Sequence, residues 1–299
     1  MIEYDKHDWT AHLYDVEGSM VREIIGRVSL CVLWAAIVVG LHHLTPLKMG
    51  GSSTVHSLVG LALGLLLVFR TNASYDRFWE GRRQWGAIIN ESRNLARGTR
   101  AYLAPAAPDL AEPILLWTAA FASAALTGLR QVAPDLGPSR ARLPARDVEA
   151  ALAAPHVPLD IAVRISARLA EARARGVLSD ILLSLLDANV RRLIDALGAC
   201  ERIKNTPLPF VYVVHIRRSL ILYCFTLPFA LVSLYGWWSI LVALLISYMF
   251  FGIEEIGVEI ENPFGHDIND LPLEQFCRTI ERDVLSTVGP GPSSEGDRA

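Results

Sequence analysis

Ser57–Gly86 reads SLVGLALGLLLVFRTNASYDRFWEGRRQWG, and its reading decides the fold. Ser57 to Phe69 carries no charge, and Arg70 then opens a run dense in Arg, Asp, Glu, Tyr and Trp. No proline interrupts the stretch and its glycines are isolated, so it reads as one long helix. That helix leaves an apolar medium and enters water near Arg70. Within its apolar half, Leu61, Leu65 and Phe69 recur at i, i+4 and i+8, which stacks three bulky side chains on one face, one turn apart. Gly60 and Gly64 fall on a neighbouring face, where small residues let another helix approach closely. On spacing alone, such a stripe faces lipid, a neighbouring helix or, in a ring of copies, a central axis.

Three runs carry a resemblance. Arg70–Arg82 (RTNASYDRFWEGR), Leu208–Tyr212 (LPFVY) and Glu261–Asp267 (ENPFGHD) resemble, in the same order, the signatures of the bestrophin family of ion channels. The closer likeness is to its shorter bacterial members. The resemblance implies a pentamer whose second transmembrane helix lines the pore, with Leu61, Leu65 and Phe69 as the neck. Leucine stands at two neck positions where isoleucine or phenylalanine is also found. The resemblance also implies a second constriction at the cytosolic end, matching Ile181 directly after Asp180. Without it, Ile181 reads as a buried residue at the start of an amphipathic helix.

The wider composition agrees with a molecule split between lipid and water. Of 299 residues, 52% are hydrophobic and 20% charged, and the mean hydropathy is +0.32. A net charge of −3 points to no nucleic-acid partner. The four cysteines, Cys31, Cys200, Cys224 and Cys277, form no CxxC pair and indicate neither a zinc site nor a disulfide framework. The first residues, rich in Asp and Glu, do not read as a signal peptide. No Gly-rich phosphate loop, HExxH or GxSxG occurs, so the chain does not read as an enzyme.

Taken in order, residues 1–23 form a polar cytoplasmic segment with Trp9 and Tyr14 as interface anchors. Ile24–Leu41 is apolar apart from Arg27 and long enough to cross a bilayer. Pro46, Gly50 and Gly51 mark a loop. The pore helix follows from Thr54, and its charged continuation runs to Leu103, ahead of Pro105 and Pro108. Ile114–Leu129 is short, Ala-rich and set between charged segments, so it reads as a core helix of a water-soluble body. Gln131–Arg146 reads as a loop, and Asp147–Ala153 and Leu159–Arg175 as helices, the second ended by Gly176. Ser179 or Asp180 caps a helix from Ile181 to Ile203. Phe210–Tyr235, with Pro228 as a kink, and Trp237–Ile253 are the last two apolar helices, turning at Gly236. Leu273–Leu285 is a final amphipathic helix, and 289–299 reads as a disordered tail.

The expected organisation is therefore all-α, with four transmembrane helices and a cytoplasmic helical body. Residues 24–69 hold the first two membrane helices, 70–207 the cytoplasmic domain, 208–262 the last two membrane helices, and 263–288 a cytoplasmic C-terminal segment. Basic residues set the orientation: Arg70–Lys204 carries 19 Lys or Arg, whereas the two opposite loops carry only Lys48. The positive-inside rule places the body and both termini in the cytoplasm of a multi-pass inner-membrane protein.

Charge selectivity is open at the level of sequence. The uncharged neck gates by dewetting and decides no sign. The cluster Glu254, Glu255, Glu259 and Glu261 favours cations unless Arg70, Arg77, Arg217 and Arg218 neutralise it. Bacterial relatives include cation-selective members, which points to passive conduction of small monovalent cations; animal members pass chloride, the anion alternative. A transporter or a structural membrane protein is a further alternative, but mid-membrane polar groups are few. The animal proteins also bind calcium just after the last membrane helix. The matching oxygens here are Glu259, Asn262, Asp267 and Asp270, which read either as a calcium clasp with fewer carboxylates or as a capped, solvated turn. His42, His43 and His56 flank the expected outer mouth, as a pH- or metal-sensitive ring or as ordinary surface histidines. The partners expected are four further copies, membrane lipid and permeant ions.

Overall fold

The structure, a computed structural model, describes residues 19–46 and 49–288. The expected anchors Trp9 and Tyr14, Lys48 and the tail 289–299 lie outside the described residues. Nearly all of the rest is helical, with no strand among the described residues. The helices are α1 (Val21–Leu44), α2 (Ser53–Gly98), α3 (Pro108–Arg130), α4 (Ala145–Leu152), α5 (Val157–Ala174), α6 (Asp180–Asn205), α7 (Phe210–Tyr235), α8 (Ser239–Glu259) and α9 (Leu273–Leu285). A π turn, Thr99–Leu103, extends α2, and a 3-10 turn, Pro138–Arg142, sits within the segment expected to be loop.

Two compact units form. The first comprises Met1–Trp79, Thr206–Pro263 and Asp267–Asp270; the second comprises Glu80–Asn205, Phe264–His266 and Leu271–Ala299. Helix α2 supplies residues to both.

In the first unit, α1 packs on α7 and α8, and α7 on α8. The core takes one face from each helix: Ile24, Val28 and Ala35 of α1, Leu63 and Leu67 of α2, Ile216, Leu220 and Cys224 of α7, and Ala243 and Phe251 of α8. These recur at spacings of four, seven and eight residues, the signature of a buried stripe. A Cβ on Gly60 would lie 2.6 Å from the Tyr223 hydroxyl oxygen, so glycine there admits α7. A Cβ on Gly64 would meet only a Phe250 ring carbon at 4.0 Å, an ordinary contact. Gly236, at φ 53°, adopts a left-handed turn between α7 and α8 that side chains disfavour.

In the second unit, α3 packs on α5 and α9, and α5 on α6. By length and composition four stretches could cross a membrane: Val21–Leu44, Ser53–Leu103, Pro108–Arg130 and Phe210–Glu259, the last holding both α7 and α8. Burial separates them. The apolar window of Pro108–Arg130 is 78% buried within the protein, against 28% or less for the others. A helix whose apolar surface is already covered needs no lipid, so α3 is the core of a helical body. The exposed apolar faces of α1, α2, α7 and α8 require lipid or another subunit.

Candidate functional site: the pore helix and its charged collar

Helix α2 has two faces within the first unit. Leu63, Leu67, Arg70 and Ser74 are buried, and they follow one another at four-, three- and four-residue steps. Opposite them, Leu61, Leu65 and Phe69 are 75%, 55% and 56% exposed. At about 100° per residue, the stripe through Leu61 and Leu65 continues into Val68, Asn72, Tyr75, Asp76 and Trp79, all of them exposed. Asp76 makes no ion pair with the described residues. The expected neck stripe and the packing face are thus on opposite sides of one helix, and Leu61, Leu65 and Phe69 are not spent on the subunit's own core.

Just past the apolar half of α2 lies a charged collar. Arg70 is 1% exposed, and its Nη1 donates to Glu254 Oε1 at 2.5 Å. Arg217 Nε donates to the same oxygen at 3.0 Å. Arg27 Nη1 lies 3.5 Å from Glu254 Oε2 and 2.7 Å from Glu255 Oε2. Glu261 stands 3.9 Å from Arg70 Nη2 and accepts the Leu208 N–H at 3.1 Å, while its backbone carbonyl accepts from Arg77 Nε at 3.1 Å. Glu254, Glu255 and Glu261 are therefore countered within the chain, whereas among the described residues Glu259 meets only the neutral Asn269 amide. Of the four arginines the sequence offered for this, Arg70 and Arg217 pair with the cluster's carboxylates, Arg77 bonds the Glu261 carbonyl, and Arg218 makes no ion pair among the described residues, while Arg27 was missed. The signal was present, since a lone arginine in an apolar helix requires a counter-charge.

Ile181, the second residue of α6, is 80% exposed. The helix start is held by Ser179, whose Oγ accepts the Leu182 N–H at 3.3 Å. Arg173 Nε, 2.7 Å from Asp180 Oδ1, holds that carboxyl below the usual carboxylate range. Asp180 thus stays ionised and paired at ordinary pH.

The segment after α8 closes on itself. The Asp267 N–H donates to Asp270 Oδ2 at 2.8 Å, the Asp270 N–H returns to the Asp267 carbonyl at 3.0 Å, and Asn269 Nδ2 donates to Glu259 Oε2 at 2.9 Å. Among the described residues no three His, Cys, Asp or Glu side chains converge as a metal site would require. The oxygens of Glu259 and Asp270 accept from N–H donors of the same segment, as in a capped turn. The histidines are engaged too: His42 Nδ1 accepts the Met49 N–H at 3.0 Å, His43 stacks on Trp237, and His56 stacks on Tyr223 at 4.1 Å between ring centroids.

Comparison with known proteins gives the chain's family and fold. The family model described as Bacterial/Fungal Bestrophin protein matches residues 1–286. A protein of Nostoc sp. named as a voltage-dependent anion channel-forming protein is 38% identical over 297 residues, covering 95% of this chain and 94% of its own. One of the same name from Synechocystis sp. is 39% identical over 284 residues, covering 92% and 90%. The crystal structure of a bacterial bestrophin homologue from Klebsiella pneumoniae superposes with a TM-score of 0.82 at 35% identity, over 90% of this chain and all of that one.

Proposed function

The chain belongs to the bacterial and fungal bestrophins, and from that premise we propose that it is one subunit of a homopentameric channel that conducts small monovalent ions passively across the inner membrane. The family is a channel family; the pentamer, the pore residues and the ion are our reading. One observation carries it. Leu61, Leu65 and Phe69 are exposed on the face of α2 opposite the face that packs into the subunit. Five such faces around an axis give stacked rings of apolar side chains, a constriction that closes by expelling water and opens by wetting. Ile181 supplies a second, narrower ring at the cytosolic exit, and the basic body lies in the cytoplasm.

For the permeant ion, the reading is a preference for cations. The collar cannot select, because its carboxylates are engaged by guanidiniums of the same chain. Asp76, on the neck stripe and without an ion pair among the described residues, is the unpaired charge nearest the neck on that face. A ring of such carboxylates draws cations. The second reading, an anion channel, is favoured by the names of the Nostoc and Synechocystis relatives.

Reconstitution in a planar bilayer under a tenfold potassium chloride gradient decides between them. Cation preference moves the reversal potential toward the potassium equilibrium potential, at most by about 59 mV, and Asp76→Asn brings it back toward zero. Displacement toward the chloride potential establishes the anion reading. No current from correctly assembled protein removes the channel reading altogether.

A further inference from the structure

A cavity of about 480 Å³ opens within the first unit, outside the neck and outside the aperture. Its walls come mainly from α1 (Leu30, Cys31 and Trp34) and α7 (Ile221, Cys224 and Phe225), with Phe251 and Glu254 of α8. Leu30, Ile221 and Phe225 are at least half exposed, so the cavity is open at the surface of the membrane helices. Trp34 closes it, with Nε1 donating to the Phe225 carbonyl at 2.9 Å and its ring stacked on Phe225 at 4.6 Å. From Arg27 to Trp34 and from Arg217 to Phe225 the helices rise about 10–12 Å, so the cavity is a slot of that length.

Its charge is confined to one end. The charged lining residues are Arg27, Arg217 and Glu254. Glu254 is 2% exposed and both its oxygens are engaged, Oε1 by Arg70 and Arg217, Oε2 by Arg27. The two arginines are about half exposed, and the Nη groups of Arg217 have no partner among the described residues. What the slot offers a visitor is an apolar trough ending in spare guanidinium donors. Guanidinium forks match the oxygens of a phosphate. Basic pockets between membrane helices at the charged side of the bilayer suit anionic headgroups.

We infer that this slot binds an anionic phospholipid, its acyl chain lying between α1 and α7 and its phosphate held by Arg217 and Arg27. An apolar helix of a second copy would fill the trough but leave the guanidinium donors unmet; the lipid satisfies both ends. The site stands apart from the pore and does not depend on which ion passes.

The test uses the purified full-length oligomer, delipidated and then titrated with dioleoyl phosphatidylglycerol or dioleoyl phosphatidylcholine, with bound lipid counted by native mass spectrometry. We expect phosphatidylglycerol to be retained about fivefold or more over phosphatidylcholine, the factor supplied by one guanidinium beside an anionic headgroup. Glycerophosphate, which lacks the chain, should not compete. Arg217→Gln should lower the ratio to near one. Ile221→Trp fills the trough while leaving every ion pair in place, and should reduce retention of phosphatidylglycerol with the oligomer intact; it decides the matter if Arg217→Gln fails to fold. Equal retention of the two lipids by the unaltered protein overturns the proposal, as does a preference that survives Ile221→Trp. Dissociation of the oligomer by Ile221→Trp also overturns it, and assigns the slot to a neighbouring copy.

Discussion

Two pairs of leucines on one helix make the pore reading quantitative. Leu63 and Leu67 are 3% and 1% exposed, whereas Leu61 and Leu65 are 75% and 55% exposed. Truncating a buried leucine to alanine costs about 2–5 kcal/mol, so Leu63→Ala with Leu67→Ala should cost about 4–10 kcal/mol per subunit. Leu61 is only a quarter buried and Leu65 somewhat under half, which scales the same loss to about 1 and about 1–2 kcal/mol. Each pair removes the same atoms from the same helix, so propensity and composition cancel in the comparison. Thermal melting followed by size-exclusion chromatography in mild detergent should therefore show the Leu63/Leu67 variant falling apart and the Leu61/Leu65 variant close to the unaltered protein. Adding Phe69→Ala to the second variant should preserve the oligomer, wet the neck and raise both conductance and open probability in single-channel records. The reversal potential should change less, because the neck holds no charge. Equal destabilisation by the two pairs, or a silent triple variant of normal size, would refute a pore-facing stripe.

Ile181→Ala should widen the cytosolic exit and alter relative permeability without changing oligomer size; unchanged permeation in bilayers would place Ile181 away from the pore. Glu254→Gln leaves buried Arg70 with only the longer ion pair to Glu261, at 3.9 Å, and should destabilise the subunit by up to about 3–5 kcal/mol, read as a lowered melting temperature, whereas loss of the exposed Arg218 should leave melting unchanged. At the turn after α8, calorimetry should find no heat of binding at millimolar calcium; a heat that disappears in Asp267→Ala would make that turn a calcium clasp.

The sequence was most legible where local chemistry acts alone. Pro209 and Gly236 bound α7 at Phe210 and Tyr235, as the positions of helix breakers require. The alanine content and charged flanks of Ile114–Leu129 pointed to a core helix, but not its brevity: the helix runs Pro108–Arg130, long enough to span a bilayer, and its burial is what marks it as core. Less legible were features set by distant partners. His156, whose Nε2 lies 2.9 Å from Glu201 Oε1, caps α5 through Nδ1, which accepts the Leu159 N–H at 3.1 Å, so the helix begins at Val157, earlier than its apolar periodicity suggests. The 3-10 turn Pro138–Arg142 is tied down by the Ser139 N–H donating to Glu281, more than a hundred residues away. The slot between α1 and α7 leaves no mark on either helix alone, since its residues look like any lipid-facing surface until the two are brought together.

Charge selectivity shows what the structure adds to the stripe. Counting residues near the ends of the membrane helices leaves a balance of acids and bases that decides nothing. The contacts remove most of them. Glu254 and Glu255 are held by Arg27, Arg70 and Arg217, Glu261 is tied to Arg70 and to the Leu208 N–H, and Asp180 is paired with Arg173. A carboxylate held at hydrogen-bonding distance of a guanidinium presents little net field to a passing ion, and salt screens what remains beyond about 10 Å. On the stripe that carries the neck, Asp76 has no such partner. If the stripe faces the pore, the sign of the permeant ion rests first on that side chain. Its neutralisation is therefore more informative than any substitution in the larger acidic cluster, where losing one carboxylate frees an arginine and perturbs the fold together with the field.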